Sequence, residues 1–298
     1  MFKRIKDSCH SFRQGIEGTF IAILILTLML LGRTVFTQTP VTLSKAKGLV
    51  TRFFANAQND NGEIARNKEI LVAAASDLTF AMNDIVKAFE ASHRGIKVKV
   101  SYGSSGNFFA QISNGAPFDI FFSADMKYPE LLEKSELVIQ GTKTLYAIGR
   151  LVLWVSKESL IDIEDSGIDA LTHPSVKKIA IANPQHAPYG RAAVAAMQNS
   201  GIYEKVKSKF VFGENISQTA QFVQSGAADI GIIALSIALS LAMQAAGRYW
   251  EIPLDSYPLI EQGYGILRNG NNHEAARIFA DFFSGSEGMR ILKLYGLR

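Results

Sequence analysis

Cysteine is almost absent from this sequence, since Cys9 is the only one among 298 residues. A single cysteine cannot form an internal disulfide, and Cys9 lies before the apolar run of the N-terminal segment, where a lipid-attachment cysteine is not expected. The fold must therefore be held by its hydrophobic core, which a body of about 230 residues can build. A composition of 48% hydrophobic and 19% charged residues is typical of globular proteins.

A basic excess is absent from most of the chain, although the formal net charge is +4. Residues 1–68 hold 10 of the 31 Lys and Arg residues and 4 of the 27 Asp and Glu residues. The remaining residues therefore carry 21 basic and 23 acidic side chains, a net charge of −2. Because a nucleic-acid-binding domain needs its basic residues on the binding domain itself, the sequence argues against a nucleic-acid partner.

Long apolar runs are also missing, and the one short run lies near the N-terminus. Four basic residues, Lys3, Arg4, Lys6 and Arg13, precede an apolar core at 20–31, which is shorter than the roughly 20 residues of a membrane span. This order predicts a secretory signal. The small-x-small pattern of Ala55-Asn56-Ala57 lies well beyond that core, so an uncleaved N-terminal anchor stays open as an alternative.

Motifs for catalysis and for metal binding are lacking as well. The histidines, at His10, His93, His173, His186 and His273, show no metal-ligand spacing, so we predict no metal held by protein side chains and no cofactor. Gly103–Gly106 does not fit the Gly-x-Ser-x-Gly pattern of a nucleophilic serine, and neither a phosphate loop nor a dinucleotide fingerprint occurs. We therefore predict that the protein is not an enzyme.

What the sequence does contain, from Glu69 onward, is an alternation of apolar runs and helically spaced apolar residues. Runs at 70–75, 96–102 and 119–123 are each followed by a helical pattern, and runs at 178–182, 210–212 and 229–234 repeat this arrangement. Such alternation predicts an α/β fold with mostly parallel sheets flanked by helices. Extended crossings near 146–153 and 253–265 divide it into two lobes with a ligand cleft between them. We assign residues 1–68 to the signal or anchor and linker, 69–149 and 258–298 to lobe I, and 150–257 to lobe II.

Small polar residues follow the predicted strands where parallel α/β folds bind ligands. Ser76 and Asp77 come after the first strand, and Ser104 and Ser105 come after the second. Helix N-termini present free N–H groups and a partial positive charge, so they attract anions. These residues are candidates for anion binding or, alternatively, for simple helix caps. In the second half, Tyr189 and Ile216 lie at equivalent strand-to-helix junctions.

The ordered motifs of this chain resemble those of periplasmic molybdate-binding proteins, a family of type II periplasmic binding proteins. The resemblance rests on Ala73–Met82 (AAASDLTFAM), Tyr102–Ile112 (YGSSGNFFAQI), Gly115–Asp125 (GAPFDIFFSAD) and Ile181–Gly190 (IANPQHAPYG), with Leu294–Gly296 (LYG) at the end. It covers roughly 69–297 and leaves the leader outside.

The resemblance implies a receptor that binds molybdate, and also tungstate, and delivers it to an inner-membrane ABC permease. It further implies a periplasmic location, a monomeric state and a ligand held by neutral donors from both lobes. Carried over residue by residue, the ligand contacts are Ser76, Ser105, Tyr189 and Ile216, with the backbone of Asp77 as a fifth. Tyr189 and Ile216 would contribute mainly backbone N–H groups.

Two positions depart from the family pattern, and three other functions stay open. Ala234 stands where some members have a tyrosine donor, and the carboxylate of Asp77 is expected to point away from a bound dianion. The alternatives are a receptor of the same fold for another oxyanion or a metal ion, a membrane-anchored sensor domain, and an enzyme that uses the serine-rich loop.

Overall fold

The computed structural model describes residues 68–298, and the predicted signal, Cys9 and the 55–57 pattern lie outside them. Over these residues the chain folds into ten strands and ten α-helices with short 3-10 turns between them. The strands are β1 (Lys68–Ala75), β2 (Ile96–Gly103), β3 (Ile120–Ser123), β4 (Thr144–Gly149), β5 (Leu151–Ser156), β6 (Ile179–Ala182), β7 (Phe210–Gly213), β8 (Ile230–Ala234), β9 (Gly247–Glu251) and β10 (Ile260–Ile266).

The helices follow the strands in the order that the sequence pattern predicts. They are α1 (Thr79–Ser92), α2 (Ser105–Ser113), α3 (Lys127–Lys134), α4 (Pro188–Asn199), α5 (Tyr203–Val206), α6 (Ile216–Gln224), α7 (Leu235–Ala238), α8 (Leu241–Ala246), α9 (His273–Ser284) and α10 (Ser286–Leu294). A 3-10 turn, Ser76–Leu78, joins β1 directly to α1. In the part of the chain described, none of the helices combines the length and the apolar character that a membrane crossing requires.

The strands form two five-stranded sheets, which confirms the predicted two-lobed α/β fold. The first sheet has the order β2-β1-β3-β10-β4 and the second the order β7-β6-β8-β5-β9. We call each sheet with its helices a lobe, the first and the second. The chain passes from the first to the second lobe at Arg150 and returns between β9 and β10. The residue boundaries of the lobes that we assigned from the sequence stay a prediction.

The sheets are mixed, but in each of them four strands run in one direction and a single strand runs against them, which agrees with the expectation of mostly parallel sheets. In the first sheet, β1 pairs in parallel with β2 and β3, whereas β10 runs antiparallel to β3 and β4. The second sheet repeats this plan, with β5 antiparallel to β8 and β9. The antiparallel strands are those next to the two crossings, where the chain enters a sheet from the other lobe instead of through a helix.

The continuous apolar runs of the parallel strands are buried on both faces. In β1, Ile70, Val72 and Ala74 pack into one cluster of the first lobe, and Ala73 packs with Phe121 into the cluster on the opposite face. Because a central strand covered on both faces has no solvent side, it needs apolar residues at every position. This burial fixes the carboxyl ends of β1, β2 and β3 at one edge of the sheet, where the polar residues follow.

Candidate functional site

The five residues predicted as ligand contacts lie together around one small cavity between the lobes. Ser76, Asp77 and Ser105 come from the first lobe, and Tyr189 and Ile216 come from the second. All five are buried, with at most 4% of their surface exposed. This geometry allows all five to act on one ligand.

The cavity is small and has no cationic side chain in its wall. Its volume is about 10 Å³, far below the roughly 300 to 1,000 Å³ of pockets for drug-sized ligands. The remaining lining residues are small or neutral: Ala75, Gly103, Ser104, Ala124, Ala187 and Pro188. In this conformation the cavity excludes a sugar or a peptide.

The serine hydroxyls of the cavity wall do not cap their own helices. Ser105 Oγ accepts a hydrogen bond from the backbone N–H of Ala124 at 2.9 Å, and Ser76 Oγ accepts one from the N–H of Ser217 at 3.3 Å. Each hydroxyl thus uses its oxygen as an acceptor and keeps its hydrogen for donation to a ligand. The observed bonds favour the anion-binding interpretation over that of simple caps.

Ser104 is a lining residue that was a candidate from the strand-end pattern but was not among the five ligand contacts carried over from the family resemblance. It stands at the N-cap position of α2, but its side chain makes no capping bond. Its buried hydroxyl has no hydrogen-bond partner among residues 68–298. The Ser104-Ser105 pair was the signal in the sequence, and both serines line the cavity.

Three helices begin at the cavity and direct backbone N–H groups toward it. Ser105 is the first residue of α2, Ile216 is the first of α6, and Tyr189 is the second of α4. The first N–H groups of a helix have no acceptor within the helix, and the helix dipole adds partial positive charge there. The cavity therefore offers donors and a positive potential without a lysine or arginine.

Asp77 is held by a buried hydrogen-bond network that joins both lobes. Its Oδ2 atom accepts hydrogen bonds from Tyr189 Oη at 3.1 Å and from Gln262 Nε2 at 2.7 Å. Gln262 Oε1 accepts in turn from Tyr146 Oη at 2.8 Å. The phenol of Tyr189 is thus occupied by Asp77, which agrees with a ligand contact through its backbone N–H. Gln262 lies 185 residues from Asp77 and has no sequence signal of its own.

The protonation of Asp77 is shifted by this burial. Removal of the carboxyl from water raises its pKa from 3.8 to about 7, although the hydrogen bonds from Gln262 and Tyr189 lower it in part. Burial also raises the pKa of Tyr189 and of Tyr146 well above the usual value near 10, so both phenols stay neutral. One carboxyl oxygen, Oδ1, has no hydrogen-bond partner among residues 68–298.

Direct contacts between the lobes close the cavity at its rim. The backbone N–H of Gly106 donates to the carbonyl oxygen of His186 at 2.9 Å, and Arg191 forms an ion pair with Asp125. His186 Nε2 lies 2.9 Å from the carbonyl oxygen of Glu214, so this histidine organises the loop and does not line the cavity. A larger pocket of about 440 Å³ opens beside the Arg191–Asp125 pair and carries charged residues of both signs.

Two further predictions concern features away from the cavity. Ala234, where some family members have a tyrosine, is fully buried at the end of β8 and is not a lining residue. Within residues 68–298, no group of three His, Cys, Asp or Glu side chains is arranged to hold a metal ion.

Comparison with known proteins gives consistent results over the described body. Residues 70–298 match the family of bacterial extracellular solute-binding proteins. The molybdate-binding protein ModA of Azotobacter vinelandii is 40% identical over 232 residues, which is 78% of this chain and 90% of that protein. The molybdate-binding protein ModA of Rhodobacter capsulatus is 35% identical over 76% of this chain and 87% of its own length.

Solved structures show the same relationship at the level of the fold. The periplasmic molybdate-binding protein of Azotobacter vinelandii superposes with a TM-score of 0.72 at 33% identity, over 77% of this chain and 98% of that one. The sulfate-binding protein SubI of Mycobacterium tuberculosis gives a TM-score of 0.64 at 17% identity, over 78% of this chain and 86% of that one. At this identity the second likeness concerns the fold alone.

Proposed function

This chain belongs to the bacterial extracellular solute-binding proteins and, within them, to the molybdate-binding proteins, and on that premise we propose that it captures molybdate between its lobes. The family is one of solute-binding transport proteins. We include tungstate as a second ligand, because it has the same charge and tetrahedral shape as molybdate.

The observation that carries the proposal is the convergence of neutral donors from both lobes on one closed cavity. A dianion in a buried site needs a hydrogen bond for each of its oxygens, because an unpaired buried charge is very costly. The cavity wall supplies serine hydroxyls and helix N-termini and no cationic side chain. Such fixed donors select by size, since a smaller oxide would leave some of them too far from its oxygens.

We assign the ligand contacts to Ser76, Asp77, Ser105, Tyr189 and Ile216, as predicted, and add Ser104. Ser76, Ser104 and Ser105 would donate through their hydroxyls. Tyr189 and Ile216 would donate through the backbone, in agreement with their positions at the starts of α4 and α6. Asp77 would contribute its backbone N–H.

Donors from two lobes make lobe closure depend on the ligand. The anion gains its full set of hydrogen bonds only when the lobes meet, so its binding shifts the equilibrium between open and closed conformations toward the closed one. We propose that an inner-membrane ABC permease recognises that closed shape. The protein would act in the periplasm as a monomer, exported by its N-terminal signal, and without catalytic turnover or a cofactor.

The test is calorimetric titration of the purified full-length chain with molybdate, tungstate and sulfate. We expect one anion bound per chain for molybdate and tungstate, much weaker binding of sulfate, and no chemical change in the ligand. Equal affinity for sulfate would favour a receptor for another oxyanion. Turnover of a substrate would favour an enzyme, and intact residues 1–68 in the isolated protein would favour an anchored sensor.

A further inference from the structure

We propose that the oxyanion binds together with one proton, which Asp77 holds on Oδ1 and donates to an oxygen of the anion. The inference deepens the proposed function and rests on it. It makes Asp77 a residue that contacts the ligand through its side chain, in contrast to the expectation that this side chain points away.

The hydrogen bonds of the carboxyl decide which of its oxygens carries the proton. Oδ2 accepts from Gln262 at 2.7 Å and from Tyr189 at 3.1 Å. The amide of Gln262 always keeps its hydrogens, and the raised pKa of the Tyr189 phenol keeps that proton in place as well. Oδ2 is therefore committed as an acceptor, and a proton on the carboxyl must reside on Oδ1.

Oδ1 is the carboxyl oxygen that lacks a partner. Asp77 is only 1% exposed and lines the cavity, and Oδ1 has no partner at hydrogen-bonding geometry among residues 68–298, although the backbone N–H groups of Asp77 and Leu78 lie near the carboxyl and lower its pKa in part. Buried polar atoms of native proteins are nearly always hydrogen-bonded, so an orphan atom in a ligand cavity points to a ligand as its partner. An ionised Oδ1 could only repel an anion oxygen, whereas a protonated Oδ1 can donate to it.

No charge close to Asp77 would compensate an ionised carboxylate beside a dianion. The helices α6 and α7, which pack against the 3-10 turn, contain no titratable residue, and the phenols of Tyr146 and Tyr189 are neutral. The other titratable residues of the surrounding elements do not offset a charge on Asp77. Lys68 and Glu69 lie at the far end of β1, and Arg191 on α4 is already paired with Asp125. The rest are Asp84, Lys87 and Glu90, which are exposed or half-buried on α1, and Glu261 and Tyr264 on β10.

The position of Asp77 therefore links anion affinity to pH. In the closed conformation burial raises the pKa of the carboxyl to about 7, and a dianion beside it must raise that pKa further. At a pH between the pKa of Asp77 without the anion and its higher pKa beside the anion, the complex holds a proton that the anion-free protein has lost. Affinity should thus be nearly constant below about pH 7 and fall by about tenfold for each pH unit above it.

The experiment is calorimetric titration of the full-length chain with sodium molybdate from about pH 6 to about pH 8.5, in buffers of low and high ionisation enthalpy. At the upper end we expect uptake of about one proton per anion bound. Asp77→Asn should still bind molybdate, because an amide can donate where the acid did, but with constant affinity and no proton uptake. Asp84→Asn, which removes an exposed carboxylate from α1, is the matched control and should behave as wild type.

The inference would be overturned if the wild-type protein bound molybdate without taking up a proton. It would also be overturned if Asp77→Asn took up as many protons on binding as the wild type. A failure to bind any oxyanion at any pH would instead contradict the proposed function. If Asp77→Asn does not fold, infrared difference spectra of the wild-type protein give a second measurement. The C=O band of a protonated carboxyl should persist in the complex at about pH 8, and its absence would count against the proposal.

Discussion

The Ser105 side chain meets two requirements at once, because it begins a helix and also lines the cavity. Its oxygen is engaged by the N–H of Ala124, which fixes the rotamer and leaves the hydroxyl hydrogen for the anion. The bond also connects α2, which follows β2, to Ala124, which follows β3, so it fixes the ends of these two strands relative to each other at the site. A single hydroxyl thus supplies a donor and fixes the position of that donor.

We expect Ser105→Ala to weaken molybdate binding by about 1–3 kcal/mol, which is roughly 5- to 150-fold in the dissociation constant. The substitution removes one donor to the anion and leaves the N–H of Ala124 buried without its acceptor. Calorimetric titration measures the loss. Ser113→Ala, at the exposed end of the same helix, is the control and should leave affinity unchanged. Equal affinity in both variants would remove Ser105 from the site.

At this scale, local sequence patterns predicted some members of the site and not others. Ser76 could be found because it follows the apolar strand β1 directly, and Ser105 could be found because it comes two residues after the end of β2. Gln262 could not be found, because its contact with Asp77 depends on how β10 returns to the first sheet. The pairing of Tyr189 with Asp77 spans both lobes and likewise has no local signal.

The start of α2 shows how closely the two lobes approach each other. The N–H of Gly106 bonds to the carbonyl oxygen of His186, and a Cβ added at Gly106 would lie 2.7 Å from that same oxygen. Distances below 3.0 Å are essentially never seen for real Cβ atoms. Glycine at this position therefore permits the contact that closes the cavity.

We expect Gly106→Ala to hold the lobes apart and to reduce molybdate affinity by at least about tenfold, because donors of the second lobe can no longer reach the anion. Small-angle scattering with saturating molybdate should show a larger radius of gyration than the wild-type complex. The control is Gly95→Ala, since an added Cβ at Gly95 meets no atom within 4 Å. A compact Gly106→Ala complex of normal affinity would contradict the role of this contact.

The strands and helices were predictable to the extent that their burial follows a simple period. Runs such as 70–75 and 229–234 predicted β1 and β8 within about two residues, because two-sided burial requires uninterrupted apolar sequence. The antiparallel direction of β10 and β5 was not predictable in this way. Strand direction depends on which lobe the chain comes from, and apolar periodicity is the same for both directions.

The free energy of unfolding of the whole molecule should depend on pH because of the buried carboxyl of Asp77. In the closed conformation burial raises the pKa of Asp77 from 3.8 to about 7, so this folded state keeps a proton that the unfolded chain loses in this range. Its contribution to the free energy of unfolding is therefore complete below about pH 4 and is lost as the pH rises to about 7. The full span is on the order of 4 kcal/mol.

We accordingly expect Asp77→Asn to be more stable than wild type by about 2–4 kcal/mol at pH 8, with a much smaller difference at pH 5. Urea unfolding of the ligand-free protein at the two pH values measures this. Asp84→Asn should show no such pH-dependent gain, since its carboxylate is exposed. The same stability difference for Asp77→Asn at both pH values would mean that the carboxyl titrates normally.

The contacts between the two lobes also bear on the kinetics of release. An anion held by donors from both lobes loses those hydrogen bonds together only when the lobes separate, and contacts such as Gly106 with His186 oppose that separation. Departure must then wait for the lobes to separate, so the dissociation rate constant cannot exceed the rate of lobe opening. Ligands of similar size and charge would have similar residence times. A partner that separates the lobes would control when the ligand is released.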